Sequence, residues 1–199
     1  MCGRYYVDDD TAKEIEKVVR QVDAMIRDTS GLNMLRSGDI RPADWAPVIA
    51  AREDKLYVEN IRWGIPAYDG KLVINAKSET IWEKKLFADS VQHRRIAIPA
   101  AGFYEWNAKK EKYTFRKKTG SLMWFAGIYN LEKNEDRFVI ITTAANVSMQ
   151  DVHDRMPLIL GNNEIVPWIL GGGQSTDKLL NKVPELLDCS TEYEQLSLF

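Results

Sequence analysis

The chain has 199 residues, a net charge of −2 and ordinary shares of apolar and charged residues, which suits one soluble domain able to bury a sizeable core. No stretch reaches the roughly 18 apolar residues that cross a bilayer, and the opening Met-Cys-Gly-Arg-Tyr-Tyr is too polar for a signal peptide, so a cytosolic location without a membrane partner is expected. The near-neutral charge excludes a general pull toward nucleic acid, so any such contact has to be a local basic surface.

A helix is expected over residues 11–27, with Thr11 and Glu14 as a capping box and Ile15, Val18, Val19, Val22 and Ile26 on one face. Beyond it, short β-rich runs recur at residues 48–51, 56–63, 96–99, 113–116, 123–129 and 137–143. Turn signals such as Asp69-Gly70 and Thr119-Gly120 separate them, and one helical piece over residues 79–90 interrupts them. A short helix follows over residues 164–170, stopped by three glycines at 171–173, and then a second over residues 176–187 that Pro184 should kink or divide. Strands fill the middle and helices the ends, without βαβ alternation. The expected fold is therefore α+β, built on largely antiparallel sheet.

The two cysteines, Cys2 and Cys189, stand at opposite ends with no CxxC or Cys/His cluster, which argues against a zinc knuckle or a disulfide framework and for free thiols. Cys2 lies directly behind the initiator methionine. Methionine is removed when a small residue follows, so the mature chain would begin at Cys2 with an α-amine and a thiol on adjacent carbons. Their ordinary pKa values are about 7.7–8.0 and 8.5. Either the thiol attacks a carbonyl with the amine as base, or the amine condenses with an aldehyde and the thiol closes a thiazolidine on the imine. The plain alternative is a frayed end.

Three further stretches carry ionisable groups. In Gly-Phe-Tyr-Glu-Trp-Asn, strand alternation puts Glu105 on the face opposite Tyr104 and Trp106, either facing solvent or enclosed as an acid or base. In Asp-Val-His-Asp-Arg-Met-Pro, His153 is crowded by Asp151, Asp154 and Arg155 just before an apolar strand-like run. In Ile-Asn-Ala-Lys-Ser-Glu-Thr, Asn75 ends a β-rich run where a turn former or helix cap is usual.

Taken in order, MCGRY, N-A-K-S-E-T, P-A-A-G-F-Y-E-W and H-D-R-M-P resemble the SRAP family of SOS-response-associated peptidases and abasic-site processing proteins. The resemblance runs from Cys2 to about Leu160. It implies a single SRAP-like domain over residues 1–190, with a barrel-like, mainly antiparallel sheet core flanked by helices. It also implies self-removal of Met1 and covalent capture by Cys2 of abasic sites in single-stranded DNA, as a thiazolidine that shields the lesion. Asn75 would orient the Cys2 amine or the sugar, Glu105 would shuttle protons there, and His153 would act on the sugar ring oxygen and in crosslink reversal. Arg4, Lys77 and Thr142 match positions that hold the DNA backbone, and Pro42 and Trp106 match residues that wedge apart flanking bases. No metal or organic cofactor is implied, and a monomer is expected.

The chain departs from the family pattern at three points. Lys77 replaces an arginine and loses its bidentate fork. Ile-Arg-Pro-Ala-Asp-Trp-Ala-Pro replaces the usual stretch around Pro42, and the segment after Trp63 offers Tyr68 where tryptophans are common. Arg94, Arg95 and the run Lys109, Lys110, Lys112, Arg116, Lys117, Lys118 would either extend a basic track or form a solvated hairpin.

The tail, residues 191–199, ends in Gln-Leu-Ser-Leu-Phe. It resembles the peptide by which bacterial repair proteins dock in the sliding clamp, with Gln195 on the groove rim and Leu196, Leu198 and Phe199 as the apolar residues. The alternative is that these side chains fold back on the domain. Two other functional classes remain open at this level: an N-terminal cysteine amidohydrolase or peptidase, and a non-catalytic adaptor whose working part is the tail.

Overall fold

The computed structural model describes residues 2–11, 13, 15, 37–131 and 135–191. The chain enters through strand β1 (Tyr5–Val7) and turns at Asp8, whose carboxylate accepts the Thr11 N–H at 2.8 Å. Asp8, not Thr11, therefore caps the helical turn that begins at Asp9, because a cap oxygen serves the amide three residues on. Ile15 is buried. Glu14, Val18, Val19, Val22 and Ile26, and the tail residues Gln195, Leu196, Leu198 and Phe199, lie outside the described residues.

The remaining strands are β2 (Gly38–Ile40), β3 (Trp45–Arg52), β4 (Lys55–Trp63), β5 (Ile65–Pro66), β6 (Leu72–Val73), β7 (Asn75–Lys77), β8 (Arg95–Ala100), β9 (Gly102–Trp106), β10 (Lys112–Lys117), β11 (Met123–Asn130), β12 (Arg137–Ala144), β13 (Arg155–Pro157), β14 (Ile159–Leu160) and β15 (Leu187–Thr191). One sheet has five strands in the order β15-β10-β9-β1-β2. The larger runs β13-β12-β4-β3-β8-β11-β14, and because β12 also pairs with β11, strands β12, β4, β3, β8 and β11 close into a ring. Among these ladders only β12 with β4 and β12 with β7 are parallel. The fold is thus α+β with a mainly antiparallel, barrel-like core, and the six expected β-rich runs all fall inside strands.

An aromatic seam joins the two sheets. Tyr5 of β1 lies 5.4 Å from Trp63 of the ring and 5.7 Å from Phe125, and Phe103 of β9 lies 5.9 Å from Phe125. These rings are fully buried, and edge or tilted contacts at such distances add about 0.5–1.5 kcal/mol each beyond the area they bury. Strand alternation on β9 follows from the seam: Phe103 and Glu105 point inward, Tyr104 and Trp106 outward.

Helices α1 (Ala88–His93), α2 (Ile165–Leu170) and α3 (Gly173–Leu180) flank the ring. Arg95 on β8 gathers the C-terminal carbonyls of two of them, donating to Val91 at 2.7 Å, Gln92 at 2.6 Å, Trp168 at 2.5 Å and Ile169 at 3.3 Å. Its charge complements the negative helix ends. Arg95 is consequently buried and is no part of a surface track.

Two helical expectations hold only in part. Residues 79–87 form a 3-10 turn (Ser78–Thr80) and further turns, with helix only from Ala88 in α1, because side chains pin the segment from outside: Trp82 Nε1 donates to Asp177 at 3.0 Å, and Glu79 pairs with Arg155. Helix α3 stops at Leu180, and Leu187, expected in the same helix, instead starts β15 against Lys117. Pro184 lies in the extended link, where its carbonyl accepts from Asn146 at 2.9 Å.

Gly102 fits one place only a glycine can fill. A Cβ there would lie 2.4 Å from Tyr6 Oη and 2.7 Å from the Phe115 carbonyl oxygen. The variant Gly102→Ala should cost about 1–3 kcal/mol by overpacking, read as a lower melting temperature; an unchanged melting temperature would show that the seat of Tyr6 is not held as described.

Candidate active site

The site is built where the chain start is drawn into the five-stranded sheet. Tyr5 pairs with Phe103 and Tyr6 with Gly102, and the Tyr104 amide donates to the Arg4 carbonyl at 3.0 Å. This ladder carries Cys2 toward the Glu105 end of β9. Cys2 is fully buried, contrary to a frayed end.

Two contacts fix it. Asn75 Nδ2 donates to the Cys2 carbonyl at 3.0 Å, across from β7 of the other sheet, and the Cys2 thiol faces the Arg4 carbonyl at 4.0 Å. Burial, and after it the negative charge of Glu105, push the thiol far above its ordinary pKa, against a smaller pull downward from the Arg4 carbonyl. The thiol is held protonated. Glu105 itself is 4% exposed on the inward face of β9, the enclosed position among the two that the sequence left open.

Asn75 sits opposite Ile140 on β12, and its Oδ1 is buried with no hydrogen-bond partner among the described residues. The same is true of the Tyr5 hydroxyl, which burial and then the charges of Cys2 and Asp44 push up in pKa. Sequence reasoning passed over Tyr5, since an aromatic in an apolar run carries no sign of where its hydroxyl ends.

His153 occupies the turn before β13. Its Nδ1 accepts the Arg155 amide at 2.9 Å, and Asp154 Oδ1 stands 2.8 Å from the same nitrogen. Arg155 pairs with Ala144 on the strand where Asn75 faces Ile140, so the two motifs lie about 13 Å apart along β12 at the usual rise per residue. Arg155 locks this corner. It forms a two-pronged pair with Glu79 and donates to the Thr142 carbonyl at 2.6 Å. The Arg155 hydrogen bond lowers the Glu79 pKa.

The residues matched to DNA contacts divide. Arg4 lies over the Trp106 ring at 5.3 Å and 3.7 Å from Asp39, and Lys77 is exposed at the end of β7. Pro42 is the first central residue of a tight turn closed by the Asp44 amide on the Arg41 carbonyl at 3.0 Å, with Ala43 at φ 76°. That left-handed angle usually calls for glycine, and Arg62 holds it by donating to the Ala43 carbonyl at 2.7 Å. Thr142 is fully buried between β7 and β13 and contacts Arg155, so it offers no surface to a backbone. Among the described residues no cluster of His, Cys, Asp and Glu is arranged to hold a metal ion.

The family described as SOS response associated peptidase (SRAP) matches over residues 1–196. The chain is 37% identical over 134 residues to the abasic site processing protein YoaM of Bacillus subtilis (strain 168), covering 60% of this chain and 59% of that protein. It is 38% identical over 124 residues to the abasic site processing protein YoqW of Bacillus phage SPbeta, covering 55% of each. The matches thus span less than two thirds of these relatives. A crystal structure of a protein from Bacteroides thetaiotaomicron shares the fold, with a TM-score of 0.77 at 23% identity over 96% of this chain and 91% of that one.

Two outcomes test this geometry. In the intact protein, iodoacetamide should label exposed Cys189 well before buried, protonated Cys2; equal rates read by peptide mass spectrometry would contradict the burial. A lowered Glu79 pKa means that its pair stabilises the fold above the ordinary value of about 4.3 and that this gain is lost as pH falls through the folded value. Glu79→Gln should therefore lower the melting temperature at pH 7, with the gap to wild type closing in acid; a gap that persists or widens in acid would refute the pairing.

Proposed function

The chain belongs to the SRAP family, and on that footing we propose that it processes abasic sites in single-stranded DNA by joining Cys2 covalently to the lesion. The observation that carries this reading is the placement of Cys2: buried, with its carbonyl held by Asn75 and its thiol beside Glu105.

Removal of Met1 frees the Cys2 amine, whose ordinary pKa of about 7.7–8.0 leaves a useful neutral fraction near pH 7. His153 gives a proton to the sugar ring oxygen as the abasic deoxyribose opens to its aldehyde. The amine nitrogen adds to C1′, Glu105 relays protons, and water leaves to give an imine. The Cys2 sulfur then forms a bond to the same carbon while its proton passes, by way of Glu105, to the nitrogen. The product is a thiazolidine, with no change of oxidation state. Asn75 keeps amine and thiol aimed at one carbon, and such positioning supplies much of the rate. Arg4 and Lys77 hold phosphates, and Pro42 and Trp106 separate the flanking bases.

A Cys2 amidohydrolase acting as thiolate is the alternative. The upward push on the thiol makes that the poorer reading, since a thiol acting second, on an imine, does not have to ionise beforehand.

The test uses single-stranded DNA with one uracil, treated with uracil-DNA glycosylase and mixed with the purified protein. A band shifted on a denaturing gel and lost in Cys2→Ala is expected. Cys2→Ser should give at most a weak, hydrolysable adduct, and Glu105→Gln should slow the reaction by about a hundredfold or more, the usual weight of a general acid–base. No adduct from a protein whose intact mass lacks Met1 would overturn the proposal.

A further inference from the structure

The setting of Cys2 separates two kinds of reactivity. Its side chain is fully buried, and burial together with the Glu105 carboxylate keeps the thiol protonated. Reagents that need a thiolate therefore meet a poor nucleophile. An aldehyde does not need one, because the α-amine freed by loss of Met1 adds first and the sulfur follows onto the imine. Cys189 is exposed, yet it lies within the chain, so its thiol has no α-amine beside it and its aldehyde adducts reverse.

The surroundings also select by charge. The pairing of β1 with β9 continues toward the chain start, with the Tyr104 amide on the Arg4 carbonyl at 3.0 Å, so that Gly3 comes alongside Glu105 and Cys2 is the next residue. Glu105 is buried on the inward face. A carboxylate carried on an incoming carbonyl carbon is thereby brought against a second carboxylate in a buried position, where like charges repel strongly. Asn75 supplies an amide and no charge, and its Nδ2 already donates to the Cys2 carbonyl at 3.0 Å. The neighbouring cations turn elsewhere. The Arg4 guanidinium lies outside, 5.3 Å from the Trp106 ring, and Arg155 holds Glu79 and the Thr142 carbonyl.

We propose that Cys2 also captures short, uncharged aldehydes, formaldehyde among them, and that this capture withdraws the protein from strand crosslinking. The amine nitrogen bonds to the carbonyl carbon and water leaves. The sulfur then bonds to the same carbon while its proton passes to the nitrogen. One water is released and no oxidation state changes. Nitrogen and sulfur are both used up in the closed ring, so neither remains for a lesion, and the aldehyde load regulates the site. An opened abasic sugar passes the same charge filter, since its reacting carbon bears no charge. The inference rests on the reading of Cys2 as an aminothiol once Met1 is gone.

The experiment starts from protein whose intact mass lacks Met1 and exposes it to formaldehyde or to glyoxylate, an aldehyde with a carboxylate on the reacting carbon. After gel filtration, mass spectrometry of the N-terminal peptide should show that formaldehyde adds a single carbon atom, net of water, at Cys2. The rate ratio of formaldehyde to glyoxylate should be about tenfold higher in the folded protein than in the same chain unfolded in guanidinium chloride. Glu105→Gln should bring the ratio back to the unfolded value, whatever it does to either rate alone. Equal ratios in the folded and unfolded chain, or a ratio that Glu105→Gln leaves untouched, would overturn the charge filter. Protein modified by formaldehyde at Cys2 should form no adduct with the abasic strand, and an adduct formed at the unmodified rate would overturn the withdrawal. A protein that shows the aldehyde preference yet, unmodified, captures no abasic strand would sink the proposed function alone.

Discussion

The pairing of the chain start with β9 is the constraint on which the site depends. Chain ends fray unless something ties them down, and here the ties come from both sheets. Tyr104 takes the Arg4 carbonyl from one side, and Asn75 takes the Cys2 carbonyl from the other. Tyr5, driven between Trp63 and Phe125, anchors the segment by burial, so that the residue three places before it sits against Glu105 with little freedom left to lose. Without that anchor a thiol and an amine at a chain end would be ordinary solvent-exposed groups.

The second consequence is electrostatic. A buried carboxylate, thiol and phenol are gathered beside the Asn75 amide. Each charge there costs more than in solvent, and the thiol and the phenol both respond by holding their protons more tightly. Farther along β12, Arg155 ties Glu79 to the strand and so fixes the turn that presents His153. Arg4 links the Cys2 site to the outer surface, since its backbone carbonyl faces the thiol while its guanidinium lies over Trp106.

Much of this was legible in the sequence, because strand periodicity survives in the runs that line the ring and in Gly-Phe-Tyr-Glu-Trp, whose alternation put Glu105 on the face opposite Tyr104 and Trp106; that this face is the inward one only the packing decides. What was not legible depends on contacts between distant residues. Helical spacing gave way over residues 79–87 once Trp82 and Glu79 found partners 95 and 76 residues on, respectively. Leu187 looks like a helix residue until Lys117 offers it a strand edge. Thr142 and Arg95 carry surface-type chemistry in the sequence but serve as interior fasteners, and Tyr5 shows no polar signature until its hydroxyl is found buried beside Cys2. Pairings of that kind have no local pattern to announce them.

The central claim is that one carbon of the lesion receives both the nitrogen and the sulfur of Cys2. Peptide mass spectrometry of the denatured, alkylated and digested adduct tests it most directly. The predicted result is an N-terminal peptide beginning at Cys2 that carries the sugar remnant and has no alkyl group on sulfur, because the thiol is closed into the ring. An alkylated Cys2 within the adduct, or a remnant attached to any other residue, would contradict the account.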